Sequence, residues 1–297
     1  MKRRAIILTI ILVTLTLLPG FSFAAEKLSF GLSISTQVNP FYKAMADGMK
    51  AQSKALGIEA FVLSADDKLA KQISDVEDLI QKNIDVLLIN ATQSGAQAVI
   101  EKAARAGIKV VTLQRQIPSS AVSSHVGTDN VVIGMMGAEW VVNELGGKGN
   151  VVVLEGIPGA ASSEDRKKGA ALVFPKYSGI KIVAQQTAEY DRAKALHVME
   201  NILQAQPDID AVYCFNDEMA MGALSATKAA RRTDIKITGM DANKDAVESV
   251  KKGELTMTIA LPPYDIGRLG VIYGKWLMTG EMSVPVRSVM PVSFITK

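Results

Sequence analysis

The chain has 297 residues, of which 48% are hydrophobic and 21% are charged, and these proportions are ordinary for a globular protein of one large or two medium domains. They exclude the intrinsically disordered and fibrous classes. The 33 Lys and Arg residues against 30 Asp and Glu residues give a formal charge of only +3, so no basic field supports nucleic-acid binding.

The N-terminus has the organisation of an export leader. Residues 2–4 are basic, and residues 5–18 form an apolar run too short to span a bilayer comfortably. Small residues at Ser22 and Ala24 suit a signal peptidase, so we expect residues 1–24 to be a signal peptide cleaved after Ala24. A permanent membrane anchor is the alternative. Without the leader, the mature chain has 30 basic and 30 acidic residues and is close to neutral.

Along the rest of the chain, short β-branched runs alternate with longer helical patterns. The nine strand candidates are residues 27–34, 58–63, 84–90, 108–113, 150–156, 179–186, 209–215, 235–240 and 255–260. Between them, segments such as FYKAMADGMKAQSKAL carry apolar residues at three- and four-residue spacing, which is typical of amphipathic helices. Apolar strands joined by crossover helices predict parallel sheets that are covered on both faces.

Two doubly wound sheets fit this number of strands better than one sheet does. The segment SSHVGTDN at residues 123–130 is a plausible crossing point between the two sheets. The competing architecture is a closed eight-stranded barrel, whose outer helices would have the same periodicity. The fold class we predict is therefore α/β, with two doubly wound parallel-sheet lobes and a ligand cleft between them.

The predicted strands end in unusually polar residues. In open parallel sheets, ligands bind beyond the carboxyl ends of the strands, so these residues are binding-site candidates. Polar or aromatic side chains that follow predicted strands are Asn39, Phe41, Tyr42, Asn90, Gln114, Arg115, Arg166, Tyr190, Asn216, Asp217 and Asp241. Asn39, Asn216 and Asp217 also have a simpler interpretation, because Asn and Asp commonly cap helix N-termini.

The chemistry of these candidates favours binding over catalysis. Arg, Asp and Asn side chains form paired hydrogen bonds with hydroxyl or carboxylate groups, and aromatic rings offer flat faces to C–H surfaces. No nucleophile is paired with a base, and phosphate-binding glycine motifs are missing. Cys214 lies in an apolar run and is expected to be a buried hydrophobe, while His125 and His197 lack metal-ligand spacing. We therefore predict neither an enzyme, a metal site nor a cofactor.

From about residue 27 onward, the chain resembles the periplasmic ribose-binding proteins of sugar ABC transporters, which are type I periplasmic binding proteins. The motifs that carry the resemblance are STQVNPFY, LLINATQSGA, VVTLQRQ, EYDR, NDEMAMGAL and GMDANKD, in the order and at the spacing of that family. The resemblance implies two lobes joined by a three-segment hinge that closes around a ligand and then docks on an ABC permease. It also implies a periplasmic and monomeric protein.

The resemblance assigns the lobes and the binding site. The N-terminal lobe is expected at residues 25–128 and 262–290, and the C-terminal lobe at residues 129–261 and 291–297. The implied first-lobe ligand contacts are Asn39, Phe41, Tyr42, Asn90 and Arg115, and the implied second-lobe contacts are Arg166, Tyr190, Asn216 and Asp241. Arg115 is thus expected to face a polar ligand across the cleft.

Three positions depart from the ribose pattern. Gln114 stands where the pattern has Asp, Met240 where it has Phe, and Leu261 where it has Gln. The loss of one carboxylate changes the formal charge of the matched site from zero to plus one, and Leu261 adds an apolar wall. We therefore expect a ligand other than plain ribose, such as a modified or deoxy sugar, a polyol or a sugar acid. The alternative is that Gln114 binds an ordinary pentose or hexose through a rearranged network with water.

Other functional classes share this scaffold. Transcription factors of the lactose-repressor type carry a DNA-reading helix-turn-helix before the first strand, and here an export leader occupies that place. An exported α/β enzyme would need a catalytic constellation, and none is suggested by the sequence. A sensor that reports ligand to a membrane receptor, and a binder of a non-sugar or acidic small molecule, remain the alternatives to a transport protein.

Overall fold

The computed structural model describes residues 27–297, so the predicted signal peptide and its cleavage point lie outside the described residues. Within this range the strands are β1 (Ser29–Ile34), β2 (Glu59–Ser64), β3 (Val86–Ile89), β4 (Lys109–Leu113), β5 (Ser124–Gly127), β6 (Lys148–Glu155), β7 (Gly179–Thr187), β8 (Ala211–Cys214), β9 (Lys236–Asp241), β10 (Met257–Ala260), β11 (Arg287–Val289) and β12 (Ser293–Thr296). The helices of the same range are α1 (Pro40–Ala55), α2 (Leu69–Gln81), α3 (Gln97–Arg105), α4 (Asn130–Glu144), α5 (Ala161–Ala171), α6 (Arg192–Ala205), α7 (Asp217–Ala229), α8 (Lys244–Lys252) and α9 (Pro263–Thr279).

The strands form two separate six-stranded sheets. The first sheet has the order β11-β5-β4-β3-β1-β2, and the second has the order β12-β10-β9-β8-β6-β7. Pairing is parallel throughout except between β10 and β12. We call the first sheet with its helices the first lobe and the second sheet with its helices the second lobe. The predicted fold class is confirmed, and the closed-barrel alternative is wrong.

The chain passes between the two sheets three times. It leaves the first sheet after β5, returns to it at β11 after completing β10, and crosses again to β12. The first and third passages lie side by side, because the Met290 backbone N–H donates to the Gly127 carbonyl at 2.7 Å, and such connecting segments are the usual hinges of two-lobed proteins. The predicted three-segment connection is therefore present in the fold.

Sequence patterns missed three strands, although all nine predicted strands are present within one or two residues of their expected bounds. The segment at residues 123–130 contains β5 and is more than a crossing point, because the polar residues of SHVG hid a short strand buried in the sheet. β11 and β12 are short, largely exposed edge strands without a continuous apolar run. Such strands form because a neighbouring strand offers hydrogen bonds, which local sequence does not show.

Alternation along β3 shows how the first sheet is covered on both faces. Val86 and Leu88 join the apolar cluster that includes residues of α1, whereas Leu87 and Ile89 join the cluster formed with α2 and α3. α9 packs closely against α1 at Gly48. A Cβ atom at this position would lie only 2.0 Å from the Tyr264 carbonyl oxygen, so the close approach requires glycine. Apolar side chains cover both faces of the sheet, so polar side chains are expected at the strand ends.

No helix within residues 27–297 is long and apolar enough to cross a membrane. In the same part of the chain, no group of three or more His, Cys, Asp or Glu residues is placed to hold a metal ion.

Candidate functional site

A small cavity of about 10 Å³ lies between the two lobes, at the carboxyl ends of strands from both sheets. Its lining residues are Asn39, Phe41, Tyr42, Gln114, Ser162, Arg166, Tyr190, Asn216 and Asp241. Eight of these were predicted from the sequence. A larger cavity of about 250 Å³ adjoins it, and Asn39, Tyr42 and Tyr190 line both spaces.

Ser162 is the lining residue that sequence reasoning missed. It lies in the first turn of α5, and its hydroxyl is within 3.1 Å of the Tyr190 hydroxyl. The spacing to Arg166 is four residues, which puts both side chains on one face of the helix. That spacing was the signal in the sequence that could have identified Ser162.

Asn39 and Asn216 combine a capping role with a place in the cavity. The Oδ1 atom of Asn39 accepts a hydrogen bond of 2.9 Å from the Phe41 backbone, and Asn216 Oδ1 accepts one of 2.9 Å from Met219. These bonds occupy the amide oxygens at the N-termini of α1 and α7. The simpler interpretation of both residues is therefore right, and it is compatible with their presence in the cavity, because each side chain also carries an amide NH₂ group.

Gln114 lines the cavity, but its amide is bonded to the segment that leaves the first lobe. Gln114 Nε2 donates to Thr128 Oγ1 at 2.8 Å, and Gln114 Oε1 accepts from the Thr128 backbone at 3.2 Å. Asn130 Nδ2 in turn donates to the Gln114 carbonyl at 3.4 Å. The Gln114 side chain thus ties β4 to the first crossing segment, a role that an Asp side chain, which lacks donors, cannot reproduce.

Arg166 is buried at the second-lobe side of the cavity. Its Nε atom donates to Asn130 Oδ1 at 3.0 Å, and its Nη1 atom donates to the Phe215 carbonyl. No hydrogen bond from Arg166 Nη2 is made within residues 27–297, so the outer edge of the guanidinium keeps its donors for a ligand.

Asp241 is the single carboxylate among the lining residues. It ends β9 with a φ of 121°, it is 8% exposed, and no hydrogen bond to its carboxylate is made by residues 27–297. Burial raises the pKa of Asp241 well above its ordinary value, although Arg166 opposes the shift. A buried carboxylate without protein partners is costly, so a ligand that donates hydrogen bonds to it gains correspondingly.

Backbone strain marks the same site. Gln114 has a φ of 60°, Tyr190 of 61° and Asp241 of 121°, and none of them is glycine. Such conformations persist only where the surrounding structure enforces them, and they cluster at functional sites.

Five predicted site residues do not line the cavity: Asn90, Arg115, Asp217, Met240 and Leu261. Asn90 is fully buried, where it accepts from Ser35 Oγ at 2.9 Å and donates to the Leu113 carbonyl at 2.9 Å. Its side chain therefore holds together the ends of three neighbouring strands. Met240 and Leu261 are part of the apolar core of the second lobe.

Arg115 is almost completely buried beside the cavity, at 1% exposure. Its Nη1 atom donates to the Ala91 and Thr92 carbonyls at 2.9 and 3.0 Å, and its Nη2 atom donates to Tyr42 Oη at 2.6 Å. Its Nε atom reaches Ser162 of the second lobe at 3.3 Å. In this structure Arg115 therefore faces protein atoms of both lobes, whereas the sequence had predicted that it faces a ligand.

Comparisons with known proteins give the family. Residues 30–281 match the model of the periplasmic binding protein domain. The ribose import binding protein RbsB of Bacillus subtilis (strain 168) is 39% identical over 86% of each chain, and the D-allose-binding periplasmic protein of Escherichia coli (strain K12) is 36% identical over 88% of this chain and 86% of its own. A solute-binding protein of an ABC transporter from Mycobacterium smegmatis, solved with bound glycerol, superposes with a TM-score of 0.86 at 35% identity, covering 91% of this chain and 94% of the other. The chain therefore belongs to the periplasmic binding protein family, as its sequence motifs indicated.

Proposed function

We propose that this chain is the solute-binding component of a sugar ABC importer. It captures a small sugar or sugar-like ligand between its lobes and delivers it to the permease subunits in the membrane. The observation that carries this proposal is the convergence of Asn39, Arg166, Asn216 and Asp241 from two lobes on one buried cavity. No nucleophile is paired with a base among the nine lining residues, so the site is suited to binding rather than to turnover.

Hinge closure is the means of capture. A ligand shifts the lobes only through contacts that it makes better in one state than in the other, and a site divided between two lobes provides such contacts. Asn39 lies on the first lobe and Asp241 on the second, so a ligand that bonds to both favours the closed form.

The proposed ligand is small and rich in hydroxyl groups. The two adjoining cavities, of about 10 and 250 Å³, together stay below the range of roughly 300–1,000 Å³ that drug-sized ligands occupy. The relatives named above bind ribose and D-allose by name, and the solved structure holds glycerol. Because Gln114 is bonded to the crossing segment, it does not replace the lost carboxylate, and we propose a ligand other than plain ribose, such as a deoxy sugar, a polyol or a sugar acid.

Thermal unfolding of residues 25–297 with a panel of pentoses, hexoses, polyols, deoxy sugars and sugar acids tests this proposal. A ligand at a thousandfold over its dissociation constant adds about 4 kcal/mol of stability, which is a large shift in melting temperature. If ribose gives the largest shift, the proposal about the ligand is wrong while the transport proposal stands. If no member of the panel shifts the transition, the sugar-binding proposal itself is wrong.

A paired substitution tests which residues select the ligand. Gln114→Asp together with Leu261→Gln restores the ribose pattern at two of the three departures. If these positions select the ligand, the order of affinities across the panel changes towards ribose. An unchanged order means that the selecting residues lie elsewhere in the cavity.

We also propose the processing and the lobe boundaries predicted from the sequence: export to the periplasm, cleavage after Ala24, and lobes at residues 25–128 with 262–290 and at 129–261 with 291–297. Mass spectrometry of the secreted protein measures the cleavage point.

Ligand-dependent ATP hydrolysis by the reconstituted permease separates transport from the alternative of a sensor, which would leave the ATPase unaffected. The proposed monomer is checked by light scattering.

A further inference from the structure

Asp217 is a buried carboxylate that does not line the cavity. It is the first residue of α7, it is fully buried, and no salt bridge to it is made within residues 27–297. Arg192 on the neighbouring α6 is instead paired with Glu218 and Asp245. A carboxylate is costly to bury without an oppositely charged partner, so the hydrogen bonds that Asp217 accepts show which part of the molecule it serves.

Both oxygens of Asp217 accept hydrogen bonds at the end of the second sheet. Oδ1 accepts from Thr258 Oγ1 at 2.7 Å, and Oδ2 accepts from the Asn243 backbone N–H at 2.7 Å. Thr258 Oγ1 in turn accepts from the Ala242 backbone N–H at 3.3 Å. Gly239 admits the carboxylate, because a Cβ atom at this position would lie 2.2 Å from Asp217 Oδ1. One carboxylate therefore holds the N–H groups of two successive residues, directly or through Thr258.

These two N–H groups belong to the turn that presents Asp241. Asp241 is the last residue of β9, and Ala242 and Asn243 connect it to α8. The φ of Asp241 is 121° and that of Ala242 is 57°, and neither residue is glycine. Such a turn persists only where neighbouring groups enforce it, and Asp217 and Thr258 make the contacts that do so.

The Asp241 side chain depends on its backbone for its direction. No hydrogen bond to its carboxylate is made by residues 27–297, so no side-chain partner holds the carboxylate before a ligand binds. The backbone of Asp241 is fixed on one side by pairing with β10, where Ala260 lies opposite, and on the other side by the turn. A change in the turn therefore moves the one carboxylate that lines the cavity.

We propose that Asp217 is a positioning residue: through Thr258 and the Asn243 N–H group it holds the turn after β9, and this turn directs the Asp241 carboxylate into the cavity. The proposal rests on the proposed function, in which Asp241 binds the ligand. Asp217 and Thr258 themselves make no contact with the cavity, so their loss keeps every lining group and displaces one of them.

The competing role for Asp217 is purely structural. An acidic residue in the first turn of a helix suits the positive end of the helix dipole, and Glu218 follows Asp217 in the same turn of α7. If this were the whole role, loss of Asp217 would lower stability and leave the affinity of the folded protein unchanged. The two roles therefore differ in the property that responds.

Asp217→Ala removes both acceptors and is the direct variant, whereas Thr258→Val breaks only one link and keeps the test open if Asp217→Ala does not fold. The matched control is Thr238→Val. Both threonines are buried in neighbouring strands of the second sheet, at 0% and 1% exposure, but Thr238 Oγ1 has no hydrogen-bond partner within residues 27–297. Thr258→Ser keeps the hydroxyl and is expected to behave as the wild type does.

Hydrogen exchange in the protein without ligand, followed by NMR, tests the hold on the turn. The Ala242 amide proton is expected to exchange at least about 10-fold faster in Thr258→Val than in the wild type, Thr258→Ser and Thr238→Val, because its acceptor is lost. The Asn243 amide proton is expected to do the same in Asp217→Ala. Unchanged exchange at both positions overturns the proposal, whether or not any sugar binds.

A double-mutant cycle with Asp241 tests what the turn does for binding. Calorimetric titration uses the panel sugar that gives the largest thermal shift. Thr258→Val is expected to lower affinity about 10-fold in the wild-type background and not to lower it further in Asp241→Ala, which has no carboxylate to direct. An unchanged affinity, or equal losses in both backgrounds, overturns the positioning role. If exchange quickens but no sugar of the panel binds, the proposed function has failed, and the role of Asp217 in binding fails with it.

Discussion

The first-lobe and second-lobe halves of the cavity offer different hydrogen-bonding groups. In the first lobe the acceptor oxygens are already occupied: Asn39 Oδ1 accepts from Phe41, Gln114 Oε1 from Thr128, and Tyr42 Oη from Arg115. In the second lobe, the Asp241 carboxylate and Arg166 Nη2 are left without protein partners within residues 27–297. We therefore propose that the first-lobe half, called the holding half below, mainly stabilises the protein itself, and that the second-lobe half, called the recognising half, binds the ligand.

The two lobes also differ in their buried titratable groups. In the first lobe, burial lowers the pKa of His125 to about 4, and the nearby Arg287 adds to the shift. In the second lobe, burial raises the pKa of Asp217 to about 7, against the hydrogen bonds from Thr258 and Asn243 that favour its charged form. Acid therefore acts in opposite directions on the stability that these two groups contribute.

The largest expected effect tests the recognising half. Asp241→Asn removes the free carboxylate acceptor, and we expect ligand affinity to fall at least about 100-fold, since two hydrogen bonds to a charged group are weakened. Without ligand, the variant is expected to melt above the wild type, because an unpaired buried carboxylate is replaced by a neutral amide. Calorimetric titration and scanning calorimetry measure the two effects. Asp234→Asn, at an exposed position, is the control, and a loss of stability in Asp241→Asn would show that its carboxylate supports the fold.

The next effect tests the holding half. Arg115→Met leaves the Ala91 and Thr92 carbonyls without their donor, and we expect the free energy of unfolding to fall by about 3 kcal/mol in urea titrations. Arg268→Met, an exposed arginine on α9, is the control and is expected to change stability by less than about 0.5 kcal/mol. If Arg115→Met instead keeps its stability and loses only ligand affinity, Arg115 belongs to the recognising half.

The pH dependence separates the lobes through His125 and Asp217. Between pH 6.5 and about 4, folded His125 binds fewer protons than unfolded His, so its contribution to stability is present above pH 6.5 and is lost as the pH falls. Between pH 3.8 and about 7, folded Asp217 binds more protons than unfolded Asp, so its contribution is lost as the pH rises. Over these windows the two contributions are about 3 and about 4 kcal/mol, respectively.

Urea unfolding of two variants at pH 5 and pH 7.5 checks these signs. His125→Gln is expected to remove the contribution to stability that is lost on acidification, so the stability of this variant falls less at pH 5 than that of the wild type. Asp217→Asn is expected to remove the contribution that is gained on acidification, so the stability of this variant falls more than that of the wild type. Parallel pH profiles for the two variants and the wild type would contradict both assignments.

The smallest effect tests the boundary between the two halves. Burial raises the pKa of Tyr42 to about 12, so its hydroxyl stays protonated at physiological pH, and its oxygen accepts from Arg115. We expect Tyr42→Phe to reduce ligand affinity by about 1 kcal/mol, because the hydroxyl that accepts from Arg115 beside the cavity is lost. Titration calorimetry measures the loss, with Tyr177→Phe at the surface as control. A loss of more than about 100-fold, which is roughly 3 kcal/mol, would place the Tyr42 hydroxyl on the ligand.

Much of the site was predictable because strand ends are predictable. Apolar runs located nine strands, and the polar residues after them gave eight of the nine residues that line the cavity. Asn90 and Arg115 met the same criterion but turn to protein partners instead. A sequence shows which residue follows a strand, but the direction of its side chain depends on which carbonyls and hydroxyls the neighbouring segments bring within reach.

The sequence by itself determined the α/β class, the parallel direction of strands joined by a helix, and the family. These follow from local hydrophobic periodicity and from ordered motifs. Only the tertiary structure decided that β11 and β12 join different sheets, that Ser162 meets Arg115 across 47 positions of chain, and that Gln114 is bonded to the crossing segment. Edge pairing and contacts between lobes depend on groups brought together by the fold, and no local pattern records which groups those are.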